Sequence, residues 1–255
     1  MSGTEIAKSE KELRKTVDNF SEIEKLLDFK KNTFYKFTVI VRNKDGRTPL
    51  ITKEAASGET TIKQWYVDSE EYYYNRAKQE MKALADATRG RLYMCIERKS
   101  AYKMFLLLLD KVTAIIKEAL INTSATPKRL NKIVNSITSD KGCTDNDCKT
   151  WMYDIDNEDE LEIYRSAICR YLREDMKVAA EDIKILQSRS GWHIVVKRCY
   201  PVDENWVKIV ADYALEYAKT CMKLTIESSL DIIHVVEDIK VQPNQMCLVY
   251  YNEVT

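Results

Sequence analysis

The feature that most constrains this chain is the order in which strand-like and helix-like hydrophobic patterns succeed one another after residue 149. Thr150–Asp156 reads as a strand, Glu158–Arg173 as an amphipathic helix, and Asp182–Gln187 and Trp192–Lys197 as two further strands. Glu204–Lys219 reads as a second helix, and strand-like runs follow near 231–238 and 245–251. A β-α-β-β-α-β succession is the split βαβ arrangement of ferredoxin-like or RRM-like units. That arrangement hosts many unrelated activities, so function has to be read from particular side chains.

Ahead of this unit, residues 5–28 read as a helix broken near Asn19-Phe20-Ser21, with Ser21 as N-cap and Glu24 three residues on. Phe34–Arg42 is β-branched and aromatic and reads as a strand, followed by an Asn43–Gly46 turn and a polar loop through Gly58. Asp68–Ala87 is expected to be a helix, capped by Asp68-Ser69 and stopped by Arg89-Gly90, with a short strand over Arg91–Glu97. Ser100–Leu120 is apolar over most of its surface, which predicts a buried helix. Thr126-Pro127 starts another, with proline in its favoured first turn. The polar run Asp140–Cys148 is the best boundary. The expected architecture is α+β: an N-terminal helical segment (1–30), a basic βαβα-type unit (31–145) and an acidic ferredoxin-like unit (146–255), or one compact domain containing all three.

The 255 residues suffice for a sizeable core, and 45% hydrophobic with 31% charged residues is an ordinary globular balance. The formal net charge of zero hides an asymmetry. Residues 1–150 carry 28 Lys/Arg against 21 Asp/Glu, whereas residues 151–255 carry 12 against 19. Phosphate contacts supply most non-specific nucleic-acid affinity, so any such grip belongs to the first part, and the acidic part suits metal ions better. The longest apolar run, Met104–Leu109, is far short of a membrane span, and the N-terminus lacks the apolar stretch of a signal peptide. Seven scattered cysteines argue for reduced thiols. The expected location is the cytoplasm, or that of an infected host cell, with no membrane partner.

Two segments carry potential chemistry. In Trp151-Met152-Tyr153-Asp154-Ile155-Asp156, two carboxylates two residues apart on a strand point to the same face. At a strand end both reach one hard cation, Mg²⁺ or Mn²⁺, of the kind that bridges substrate phosphates in phosphoryl transfer. Capping of the helix that begins at Glu158 competes for the same residues. In Ser188-Arg189-Ser190-Gly191-Trp192-His193-Ile194-Val195-Val196-Lys197, a tight turn leads into a strand that alternates His193, Val195 and Lys197 on one face. Glycine permits close backbone approach to a phosphate, and His193 and Lys197 offer donors to its oxygens. A structural role for a hairpin histidine is the competing reading.

Together the two segments resemble the archaeo-eukaryotic primase (primase-polymerase) superfamily. Asp154 and Asp156 match its Asp-x-Asp/Glu strand motif, and Ser190, Gly191 and His193 match its Ser-(Gly)-x-His motif. A third motif, an acid ending an apolar run, is matched by Asp238, with Glu237 and Asp231 as competitors. The chain is also similar to small proteins of large tailed phages that pair an Asp-x-Asp strand with a Gly-aromatic-His strand. The resemblance implies a metal-dependent nucleotidyltransferase in which Asp154, Asp156 and Asp238 hold Mg²⁺ or Mn²⁺. Ser190, Gly191, His193 and Lys197 would hold the triphosphate of a nucleotide. It also implies nucleic acid as substrate, gripped with help from a partner such as a helicase. A metal-dependent nuclease or phosphoesterase on the same residues, and a non-catalytic phage or host-interaction protein on the same fold, remain as alternatives.

Other signals carry less. Cys143 and Cys148 are spaced too widely for half of a structural zinc site and lack a second pair, so zinc is not expected. Tyr72-Tyr73-Tyr74 and Trp65-Tyr66 suit packing better than base stacking, and Lys128, Arg129 and Lys132 suit an exposed helix end. His234 in its apolar stretch reads as a core histidine. No Walker-type loop is present, and six glycines are too few for a dinucleotide fingerprint.

Overall fold

In a computed structural model the described residues are 15–42, 59–121, 133, 136–138, 141–145, 150–156, 161–197, 205–221, 229–243 and 245–253. Strand propensity produces two antiparallel sheets, several of whose strands are buried on both faces. The first contains β1 (Thr16–Asp18), β2 (Thr33–Arg42), β3 (Glu59–Val67), β4 (Arg91–Cys95), the short β5 (Lys99–Ser100) and β10 (Met246–Asn252). Its order is β1-β10-β4-β2-β3, with β5 pairing to the start of β2. The second contains β6 (Trp151–Ile155), β7 (Ile183–Gln187), β8 (Trp192–Val196) and β9 (Lys240–Pro243) in the order β7-β8-β6-β9.

The second sheet realises the split βαβ topology. The chain runs β6, α5 (Leu161–Glu174), β7, β8, α6 (Trp206–Cys221), α7 (Ser229–Asp238), β9, and every neighbouring pair of strands is antiparallel. Its alternation sorts the side chains cleanly. Tyr153, Ile155, Ile194 and Val196 pack with Ile163, Tyr164 and Ala214 of the helices. Met152, Leu186 and Val195 instead join the core of the first sheet. One contiguous apolar cluster therefore links both sheets. Asn19 fastens the junction. Its buried amide donates to the carbonyls of Gln187 (2.8 Å) and Leu248 (2.7 Å) and accepts from the Gln187 backbone N–H (3.1 Å).

Several elements depart from expectation. The stretch expected to be a helix over 5–28 holds β1 and only a short helix, α1 (Phe20–Glu24), with Asn19 rather than Ser21 at its N-cap; residues 1–14 lie outside the described set. Asp18 and Asn19 explain the switch, because the Asp18 carboxylate accepts from Phe20 N–H while Asn19 is drawn into the sheet junction. The βαβα expectation misses β3, whose Thr/Lys/Gln content reflects an edge strand with one solvated face. Residues 231–238 are helical, α7, not a strand; the fourth strand of the second sheet is β9. The run at 245–251 is a strand, but in the first sheet, so the second unit as drawn from the sequence loses its last element to the first.

The helix expected at 68–87 runs from α2 (Glu70–Tyr72) through a π-turn (Tyr73–Ala77) into α3 (Lys78–Thr88). The Ser69 hydroxyl accepts from Tyr72 N–H, and Arg89 ends the helix in the left-handed region at φ 50°. Tyr73 and Trp65 are buried in the core, whereas Tyr66 and Tyr74 are exposed. The helix α4 (Ala101–Ile121) is present, but no described side chain on it is buried. His234 stands exposed on α7 beside Glu237, not in the core. The turn and loop at 43–58, the helix start at Thr126-Pro127, the cluster Lys128, Arg129 and Lys132, and Cys148 lie outside the described residues. No helix among the described residues is long and apolar enough to cross a membrane.

Candidate active site

The site is assembled where the second sheet faces the first. Asp154 on β6 lies directly opposite His193 on β8 and opposite Lys240 on β9. Opposed residues in an antiparallel sheet share a face, so the three form one row. Nε2 of His193 is 3.1 Å from Oδ1 of Asp154, ion-pair distance but off the line of a hydrogen bond. Both the Asp154 oxygen and the other ring nitrogen, Nδ1 of His193, are buried without a hydrogen-bond partner. Buried polar atoms are normally paired, so these two mark a contact whose polar groups are not fully satisfied within the chain. Burial pushes the Asp154 carboxyl up, but the adjoining imidazole, by contact and charge, and the Lys240 ammonium outweigh it and hold the acid below its usual range.

Asp156 extends the same face one step beyond β6. Its Oδ1 accepts from the Ser190 hydroxyl at 3.0 Å, which ties the acidic pair to the turn before β8. That turn is closed by Ser188 N–H donating to the Gly191 carbonyl at 3.0 Å. Gly191 is used against the chain itself: a Cβ there would stand 1.7 Å from the Ile155 carbonyl oxygen. The missing side chain lets the turn close onto the end of β6, which brings Ser190 to Asp156.

Asp154, Asp156, Ser190 and His193 all line a cavity of about 510 Å³. Its opposite wall comes from the first sheet: Arg42 of β2, Arg91 and Tyr93 of β4, and Met246 and Leu248 of β10. Arg189 adds a third guanidinium from the turn. Arg91 and Arg189 are buried, and both stand over the Tyr251 ring, at 5.7 and 4.5 Å from its centroid. Arg42 stands over the Tyr93 ring and pairs with Glu59 at 2.7 Å. Arg189 pairs in turn with Glu253 at 3.5 Å, so this wall carries three guanidiniums held in place by stacking and by carboxylate partners.

A second cavity of about 320 Å³ adjoins the end of β6, lined by Asp154, Asp156, Val235, Asp238, Ile239 and Lys240. Asp238 shares this cavity with the acidic pair, from the end of α7 rather than from a strand. Glu237 is exposed beside His234, and Lys197, just past β8, lines neither cavity. Among the described residues no three His, Cys, Asp or Glu side chains group closely enough to hold a metal ion. The donor chemistry nevertheless fits a hard cation at Asp154 and Asp156, which are oxygen donors, one of them orphaned. Another cavity, about 890 Å³, lies at the other end of β2, around Lys30, Phe34, Tyr66 and Met104, and shares no residue with this site.

Sequence reasoning missed Arg42, Arg91, Arg189 and Lys240. Arg91 follows Gly90 at a strand start and Arg189 sits inside the Ser-Gly turn, so each adjoins a legible motif. Nothing local says that Arg42, more than a hundred residues away from the acids, faces them. No family model, curated protein or solved structure matches this chain.

Proposed function

We propose that the cavity between the sheets is the substrate site of a divalent-metal-dependent nucleotidyltransferase of primase-polymerase type, acting on nucleic acid with nucleoside triphosphates. The observation that carries this reading is the cross-strand contact of Asp154 with His193 on the wall of a cavity whose far side bears arginines. Asp154 and Asp156 are the residues that would hold Mg²⁺ or Mn²⁺, with Asp238 as the nearest further carboxylate. Such a metal lowers the pKa of a primer hydroxyl and offsets charge on departing pyrophosphate.

The chain's own contribution is positioning and charge. Arg42, Arg91 and Arg189 present forked donors suited to polyphosphate oxygens. Ser190 exchanges its bond to Asp156 for a phosphate oxygen, and His193 on the same wall stays against Asp154. Tyr93 offers a ring against which a base can lie. Zero net charge gives the chain little long-range hold on a polyanion, so a nucleic-acid-binding partner, a helicase for instance, supplies grip during synthesis.

The test is a labelled primer-template incubated with the full chain, nucleotides and Mn²⁺ or Mg²⁺. Extension is expected, reduced about 100-fold or more by Asp154→Asn. No incorporation with either metal and any common nucleotide set overturns the reading; cleavage without extension assigns a nuclease instead. One observation favours a non-catalytic protein on the same fold, namely that the described acids and histidine form no three-donor cluster. Calorimetry decides that point, since such a protein binds Mn²⁺ no better than Asp154→Asn does.

A further inference from the structure

The helix α4 contradicts its own sequence. A helix apolar all round is a buried helix, yet no described side chain of α4 falls in the buried class. One face, which includes Met104, Leu107, Leu108 and Ile115, is half-buried. The opposite face leaves Tyr102 (68% exposed), Leu106, Leu109 (63%), Ile116 and Leu120 (82%) in solvent. With Thr113, these residues follow one another at steps of four, three, four, three and four. Alternating steps of four and three keep these side chains in one stripe along the helix, the arrangement that receives a second helix, knobs into holes.

We propose that α4 pairs with α4 of a second copy of this chain, forming a two-fold homodimer. The seam residues with Phe105 and Ile121 expose roughly 900 Å², more than the ~300–600 Å² of a typical monomer's largest apolar patch and close to the ~800 Å² per partner of a stable interface. The charges beside the seam, Asp110 and Lys117, have opposite signs, so no single-sign field opposes a like copy. The formal net charge of zero removes long-range repulsion between whole chains as well. Thr113, the one polar seam position, falls in the middle of the stripe, where a polar residue selects register at some cost in affinity. Cyclic two-fold pairing is the commonest way for one patch to satisfy itself.

Sedimentation velocity on the full chain between about 1 and 100 μM tests this, because standard interfaces of this area hold at micromolar concentration or below. The expected result is a rise from 29.7 kDa to twice that mass. The double variant Leu106→Glu/Leu109→Glu, at two exposed positions, is expected to weaken association at least about 100-fold with an unchanged circular dichroism spectrum. Thr113→Leu is expected to tighten it about 10-fold. A wild-type chain that stays at 29.7 kDa throughout overturns the proposal. So does a dimer that neither substitution alters, since it would form through another face.

Discussion

Gly191→Ala is the sharpest probe of how the site is built. The added methyl would lie 1.7 Å from the Ile155 carbonyl oxygen and 2.9 Å from its carbon. Cβ contacts under 3.0 Å essentially never occur, so turn and strand must separate by about 1.3 Å. The obstacle is backbone in the middle of the sheet, which cannot swing aside as a side chain tip can. Overpacking of this kind costs about 1–3 kcal/mol, and rigid backbone puts the cost at the upper end. Two to three kcal/mol should lower the melting temperature by roughly 4–12 °C in a chain of this size. Because the displaced strand end carries Asp154 and Asp156, a shift near 1 Å should also weaken any site chemistry about 100-fold. Urea unfolding measures the first quantity and Mn²⁺-dependent nucleotide binding the second. Gly90→Ala is a useful comparison, since its Cβ would meet the Val39 side chain at 2.7 Å and Thr88 Oγ1 at 2.9 Å, side-chain atoms rather than backbone. A Gly191→Ala protein within about 0.5 kcal/mol of wild type would refute the close-approach reasoning.

Two further outcomes are expected, beside those for Asp154→Asn and for the α4 variants. Arg98, with a side chain 1% exposed, donates to Asp28 at 2.9 Å and to Asp145 at 2.7 Å. Arg98→Met leaves both carboxylates without their cation and should cost about 3 kcal/mol in urea unfolding; a loss under 1 kcal/mol would show the pair to be dispensable. The depressed Asp154 acid contributes stability that is fully present above the ordinary carboxylate value near 4 and is lost as pH falls through its lower folded value. His193→Ala removes the main opposing influence on burial, so carbon-detected titration should show the Asp154 carboxyl moving upward. An unchanged titration would mean that the imidazole is a bystander.

The local signals were legible where they rest on period and chain direction. The apolar strand ending in Asp154 and Asp156, the Ser190-Gly191 turn and the strand through His193 all lie between Trp151 and Val196, and the split βαβ order dictates that β8 pairs with β6. The face-sharing of Asp154 and His193 follows from register and alternation alone. Asp238 was found through the wrong element, because Asp231-Ile232-Ile233-His234-Val235-Val236-Glu237-Asp238 has an apolar run that serves helix and strand equally. α4 was read as buried because its composition says so; composition does not say whether the covering surface belongs to the same chain.

From the order of its residues this chain determined its α+β class, three strands of the second sheet and the acid-imidazole pair, since each depends on hydrogen-bonding geometry acting between near neighbours in a known topology. Tertiary structure alone decided that β10 leaves the second unit to complete the first sheet, and that Asn19 fastens the two sheets together. It also decided that Arg42 and Arg91 form the wall opposite the carboxylates. Those contacts join residues far apart in the chain through shape and burial, and no periodic pattern records which distant surface a strand face will meet.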